Sequence, residues 1–145
     1  MRNKEAGFTF TELLLVLSIV IVLTMLALPF GGRWVTGQVE DEALQAFISS
    51  VYNMQAHSLA SGSPTEMTLK NDGSTYIITS YVDGEMGRYD FPKGMGISSM
   101  GSMRRLEFNG SGQIRESGTM TLKMTRRSIE IRFQLQYGRM ILYER

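Results

Sequence analysis

The sequence predicts an α+β chain: one long N-terminal helix, apolar in its first half and amphipathic in its second, packed on a C-terminal antiparallel β-sheet. Three observations predict it. A long, mostly apolar run extends from Phe8 to Phe30. After Gly32, apolar residues recur at three- and four-residue steps to about Ala60, the spacing of a helix with one buried face. From Thr65 onward the period changes to two, interrupted by Asn-Asp-Gly and other Gly-rich turns, the pattern of half-buried strands. The resulting organisation is a short leader at 1–7, a membrane-spanning helix at 8–30, an amphipathic helix at 31–62 that continues into the domain, and the sheet at 63–145.

The first element is the leader, Met-Arg-Asn-Lys-Glu-Ala-Gly, which places Arg2 and Lys4 ahead of the apolar run. At ~1.5 Å rise per residue, 8–30 is long enough to cross a hydrocarbon core of ~30 Å with some tilt. The leading cations put the N-terminus in the cytoplasm and the rest of the chain outside. An ordinary secretory signal fits poorly. Its apolar region would be about 7–15 residues and end in a small-x-small site, whereas this run is longer and ends Ala27-Leu28-Pro29-Phe30. An uncleaved anchor leaves Glu12 unexplained, because a carboxylate in a bilayer costs on the order of 2.5–3.5 kcal/mol at the centre and less near the interface. The nearest compensating charge is the α-amino group that cleavage after Gly7 would create on Phe8. Four residues apart on a helix, Phe8 and Glu12 share a face, so that amine can pair within the subunit or with Glu12 of a neighbour.

These residues carry a resemblance. Gly7-Phe8-Thr9-Phe10-Thr11-Glu12, followed by Leu13-Leu14-Leu15-Val16-Leu17, resembles the class III signal of type IV prepilins and pseudopilins. The resemblance implies a pilin-like fold, cleavage after Gly7 by a prepilin peptidase and N-methylation of Phe8. It also implies an assembly role for Glu12 as subunits join a filament. Its implied partners are the membrane, other major and minor pseudopilins, and, indirectly, an inner-membrane platform protein and an assembly ATPase. No cofactor or metal is implied. Pro29 removes a helical hydrogen bond and clashes with the preceding turn, at ~3 kcal/mol. It predicts either a helix kink or melted turn, as at the equivalent position of many pilins, or simply the end of the span. Trp34 is read as an interfacial anchor.

Beyond Gly32, Val35, Val39, Ala43, Leu44, Phe47, Ile48, Val51, Met54 and Leu59 predict the buried face. Glu40, Asp41 and Glu42 are expected on the solvated side, and Ser61-Gly62-Ser63-Pro64 stops the helix. Met67 and Leu69 lie on a first strand, Asn71-Asp72-Gly73 is a hairpin turn, and Tyr76 to Val82 returns. Asp83-Gly84 starts another turn, and Phe91 to Met103, without clear periodicity, reads as a loop. Further strands are expected at 105–108, 119–124, 128–136 and 139–143, with turns at Gly110-Ser111-Gly112 and Tyr137-Gly138. The segment from about Arg104 to Arg145 is similar in layout to minor pseudopilins of the competence type, the ComGD family of Gram-positive DNA-uptake systems. H-type pseudopilins of type II secretion share the plan.

Composition removes several alternatives. At 145 residues there is room for one domain, with roughly 110 residues or fewer for its core. The net charge of +1 names no partner, and the absence of Cys excludes disulfides, thiolate zinc sites and a Cys nucleophile. The compartment stays open, since a secreted domain need not carry disulfides. Eleven Met are read as flexible packing. His57 is the only His and is expected to be a surface or packing residue, so the chain is not read as an enzyme. Gly110-Ser111-Gly112 lacks the Lys-Ser/Thr of a phosphate cradle.

Nucleic acid is a possible partner. Between Gly101 and Arg145 nine basic residues face four acidic ones, and Arg126-Arg127 in a turn are the best candidates for a DNA contact. Three functions follow: a minor pseudopilin of a competence pilus, a subunit of a secretion or type IV pilus system, or a monomeric membrane-anchored binding module. The cleavage assignment predicts that a bulky residue at Gly7 leaves the leader attached, whereas Gly7→Ala keeps some processing. Intact-mass spectrometry of the membrane fraction reads this directly, and normal processing of the bulky variant refutes the peptidase site.

Overall fold

A computed structural model describes residues 9–99, 101–135 and 139–144, and for 27–36 it describes the backbone alone. The leader, Phe8 and the expected turn at Tyr137-Gly138 lie outside the described residues. The chain divides into two units, one ending at Gln38 and the other running Val39–Arg145.

Helix α1 (Phe10–Ser61) begins in the first unit. Its residues from Phe10 to Leu26 are exposed on every side, because a helix apolar all round has no polar face to turn outward and must be covered by something other than its own chain. No helix among the described residues is long and apolar enough to cross a membrane; the span expected at 8–30 lies partly outside them. Pro29 falls in the stretch described by backbone alone, and α1 is helical across it. Ser18 and Thr24 sit in the apolar run, where each hydroxyl bonds to its own helix, at 2.8 Å to the Leu15 carbonyl and 2.7 Å to the Val20 carbonyl. Such bonds remove the need for an outside partner.

In the second unit α1 ends where the sequence predicts. Gly62 takes a left-handed φ of +64°, the position that favours glycine after a helix. The buried stripe is Glu40, Leu44, Phe47, Val51, Met54 and Ser58, at alternating steps of four and three. Two expectations need correction. Val39 and Leu59 are exposed, since each falls one position off this stripe. Glu40 belongs to the buried face, not the solvated one, and is 4% exposed. Its Oε1 accepts the Thr125 backbone N–H at 2.9 Å and the Thr125 hydroxyl, which supplies the partners a buried carboxylate requires.

Among the described residues eight strands follow: β1 (Thr65–Lys70), β2 (Thr75–Ser80), β3 (Gly84–Asp90), β4 (Gly96–Ser98), β5 (Arg105–Phe108), β6 (Gly118–Lys123), β7 (Ser128–Phe133) and β8 (Met140–Glu144). The α+β class holds, but the strands form two antiparallel sheets where one is expected, ordered β3-β2-β1-β5 and β4-β6-β7-β8. The chain passes from the first sheet to β4 in the second, back to β5, and then on to β6. The two sheets approach closely at glycines. A Cβ on Gly73 would lie 1.9 Å from the Ile97 carbonyl oxygen, and Gly73 has φ +90°, so only glycine fits there. The expected loop at 91–103 therefore contains β4, and Phe91, Met95, Ile97 and Met103 anchor it in the core.

That core is continuous between α1 and both sheets. Phe47 meets Tyr76 edge-on at 5.3 Å and Phe91 at 5.8 Å, geometries that suit the ring quadrupoles. Burial pushes the Tyr76 phenol above its ordinary pKa, while its hydrogen bond with Ser50 at 3.2 Å pulls the other way. Among the described residues six Met are buried: Met54, Met67, Met95, Met103, Met120 and Met124. Glu40→Ala strands the Thr125 donors and should cost about 1–3 kcal/mol, seen as a lower urea midpoint, whereas Glu40→Gln keeps an acceptor and should lose less. Equal midpoints for Ala and wild type would show that the Glu40 bonds add nothing.

Candidate functional site

The sequence centres function on the start of α1, and a reciprocal hydrogen-bond arrangement forms there. Thr9 precedes the first helical residue, and its Oγ1 accepts the Glu12 N–H at 3.3 Å. In return, Glu12 Oε2 accepts the Thr9 N–H and the Thr9 hydroxyl, each at 3.2 Å. This is a capping box, Thr at the N-cap and Glu at the third helical position, in which two otherwise orphaned backbone donors are satisfied. The carboxylate also stands at the positive end of the helix dipole. Thr11 adds a 3.4 Å hydrogen bond from its hydroxyl to Thr9 Oγ1.

Glu12 is therefore not a bare charge among apolar residues. Two donors converge on one of its oxygens, and Oε1 has no hydrogen-bond partner among the described residues. Gly7 and Phe8, the other residues of the processing site, lie outside the described residues. Thr9 is the residue that sequence reasoning passed over. Its signal was present, because Thr-x-x-Glu ahead of an apolar run is the sequence mark of a capping box.

The expected DNA contact at Arg126-Arg127 has a different setting from the one its charge suggests. Both residues lie in the β6–β7 turn, which Met124 N–H closes onto the Arg127 carbonyl at 2.9 Å. Arg127 spans two carboxylates, with Nη1 2.8 Å from Glu144 Oε1 and Nη2 on Asp41 Oδ1. Its hydrogen bond to Glu144, then the two negative charges, raise its pKa further. Arg127 thus ties α1 and β8 to the turn, and its charge is spent within the protein. Arg126 is exposed and has no carboxylate within ion-pair distance among the described residues.

Other arginines of the basic C-terminal segment are likewise compensated. Arg115 lies 2.9 Å from Glu107, Arg132 2.8 Å from Glu130, and Arg105 4.0 Å from Glu66. Arg132 also lies over the Tyr143 ring at 4.6 Å. His57 Nε2 stands 2.9 Å from Asp83 Oδ2, joining α1 to the β2–β3 turn. Gly110-Ser111-Gly112 is a turn held by Asn109 Oδ1, which accepts the N–H groups of Ser111 and Gln113 at 3.0 and 2.9 Å. No cluster of three or more His, Cys, Asp or Glu suited to a metal forms among the described residues.

A helix with an apolar first half and a capped carboxylate, its second half seated on antiparallel sheets, defines the pilin-like fold. Solved structures agree with that class. The chain is similar to the minor pseudopilin EpsH from the type 2 secretion system of Vibrio cholerae, at 12% identity and a TM-score of 0.56, over 72% of this chain and 95% of that one. It is also similar to the type IV minor pilin FimU of Pseudomonas aeruginosa, at 14% identity and a TM-score of 0.57, over 79% and 92%. At such identities the likeness is one of fold. No family model matches the sequence, and no curated protein matches it.

The capping box makes its own prediction. Thr9→Ala removes a side-chain acceptor worth on the order of 1 kcal/mol at an N-cap, so amide exchange at residues 11–13 should quicken roughly five- to tenfold. Thr9→Ser, which keeps the hydroxyl, should exchange at about the wild-type rate. Unchanged exchange in the Ala variant would show that the cap does not form.

Proposed function

We propose that this chain is a minor pseudopilin of a competence pilus, a structural subunit needed to assemble DNA-uptake machinery and not an enzyme. The observation that carries the proposal is the Glu12 carboxylate at the mouth of a helix that is apolar all round. An apolar helix without a polar face can be covered by lipid or by like helices. Cleavage after Gly7 would free the Phe8 amine, and Glu12 Oε1 is the acceptor left for such an amine on a neighbouring subunit. Neutralising both charges inside the membrane lowers the cost of bundling the helices. The chain would then sit in the cell membrane as a single-pass protein, N-terminus cytoplasmic and β-sheets outside, and reach the cell surface within the assembled pseudopilus. Its partners in this reading are the prepilin peptidase, the other pseudopilins and, indirectly, the platform protein and assembly ATPase.

A second reading, a minor subunit of a type II secretion or type IV pilus system, draws support from the fold it shares with EpsH and FimU. A monomeric membrane-anchored module would use Glu12 as a helix cap alone and give Oε1 no partner. One experiment separates the three: uptake of labelled DNA in cells deleted for the gene and complemented with wild type or Glu12→Ala. The competence reading expects wild type to restore uptake and Glu12→Ala to remain at the level of the deletion. Uptake unaffected by the deletion sends the subunit to a secretion or adhesion machine, and full rescue by Glu12→Ala leaves only the monomeric module.

A further inference from the structure

Ion pairing separates ten of the described Lys and Arg residues of the second unit into two groups. Arg88, Arg105, Arg115, Arg127 and Arg132 each lie within 4.0 Å of a carboxylate. Lys70, Lys93, Arg104, Lys123 and Arg126 have no such partner among the described residues. Three of these five line two depressions that share Ser98 and together make a groove. One end is a cavity of about 270 Å³ between the β1–β2 turn and the end of β4, lined by Lys70, Asn71, Asp72, Ser98, Ser99 and Arg104. The other is an open depression of about 430 Å³ across β4, β6 and β7, lined by Ser98, Ser102, Thr119, Thr121 and Lys123. The two meet at Ser98.

The backbone fixes this arrangement. Leu69 N–H bonds to the Arg104 carbonyl at 3.4 Å, which sets Arg104 beside the end of β1 that carries Lys70. Gly73 and Gly96 press the β1–β2 turn against β4, and Gly96 pairs with Lys123 on β6. Two carboxylates also border the groove. Glu130 lines the depression and is engaged by Arg132 at 2.8 Å, while Asp72 lines the cavity and is exposed.

We propose that this groove binds the phosphate backbone of a nucleic acid. A single compact anion would be served by one end alone, whereas cations at both ends with hydroxyls between them suit successive phosphates on one chain. Among the described residues no aromatic lines either part, so bases find nothing there to stack on. Contact is therefore with the backbone and independent of sequence. The site relocates the nucleic-acid contact away from Arg126-Arg127, and it does not rest on the assembly role of Glu12.

The test uses the full chain in detergent micelles and a fluorescently labelled DNA duplex of random sequence, with anisotropy followed across a salt series. Lys70→Gln/Arg104→Gln is compared with Lys93→Gln/Arg126→Gln, which removes the same charge elsewhere. The groove double variant should bind about tenfold more weakly at low salt. Its log K against log salt should also flatten by about 1.8, since each phosphate contact contributes ~0.9. The control pair and Glu12→Ala should stay within about twofold of wild type. Inorganic tripolyphosphate at matched ionic strength should displace the duplex. No binding by wild type, equal losses in both double variants, or an unchanged salt slope would overturn the proposal. Binding of tripolyphosphate with the duplex ignored would overturn nucleic acid as the ligand.

Discussion

Two small sheets of four strands each expose too much edge and too little shared face to stand alone, and in this chain one helical stripe covers both. Phe47 lies at its centre, against Tyr76 and Phe91. Toward the end of α1, the Thr65 hydroxyl bonds the Met54 carbonyl at 3.1 Å and Gln55 reaches the Gly112 carbonyl at 2.9 Å. Toward the start of the stripe, Glu40 and Asp41 hold the β6–β7 turn. Apolar burial supplies the driving force, at roughly 25 cal/mol per Å², and the polar contacts at each end fix where along the helix the sheets sit. The chain's three passages between sheets, out to β4, back to β5 and on to β6, depend on that common support.

Much of this was legible in the sequence because it follows from period. The steps from Leu44 to Met54 mark a buried helical face, and Ile129, Ile131 and Phe133 mark a strand with one face inward. What period does not encode was missed. β3 is an edge strand that is exposed along nearly its whole length, so Glu85, Met86 and Arg88 show no apolar alternation. β4 is three residues long, too short to display any period within its Gly- and Ser-rich surroundings. Glu40 reads as one of three adjacent acids, and only the tertiary position of Thr125 makes burial tolerable.

At the site the same division holds. The spacing of Gly7, Phe8 and Glu12 is local, and so it can be read along the chain. The reciprocal bonds of Thr9 and Glu12 were equally local and could have been found. Arginine pairing is not local: Arg127 meets Asp41 across 86 residues of sequence. A basic surplus counted along the chain therefore overstates the positive surface, because folding cancels charges that sequence keeps apart. The cations that remain uncancelled are the informative ones, and folding gathers Lys70, Arg104 and Lys123 from three separate strands or their ends.

The contacts at Glu40 and Asp41 also determine how the domain would carry a mechanical load. They are the first attachments that α1 makes after Gln38 to the rest of the second unit. Tension arriving along the helix would reach the β6–β7 turn before the apolar stripe, and Arg127 would pass part of it to β8 through Glu144. Hydrogen bonds and ion pairs at that entry can break and re-form singly, whereas the core beneath them yields only as a whole. Under such a load the acidic pair would act as a strain relief, letting the helix be tugged without opening the sheets behind it.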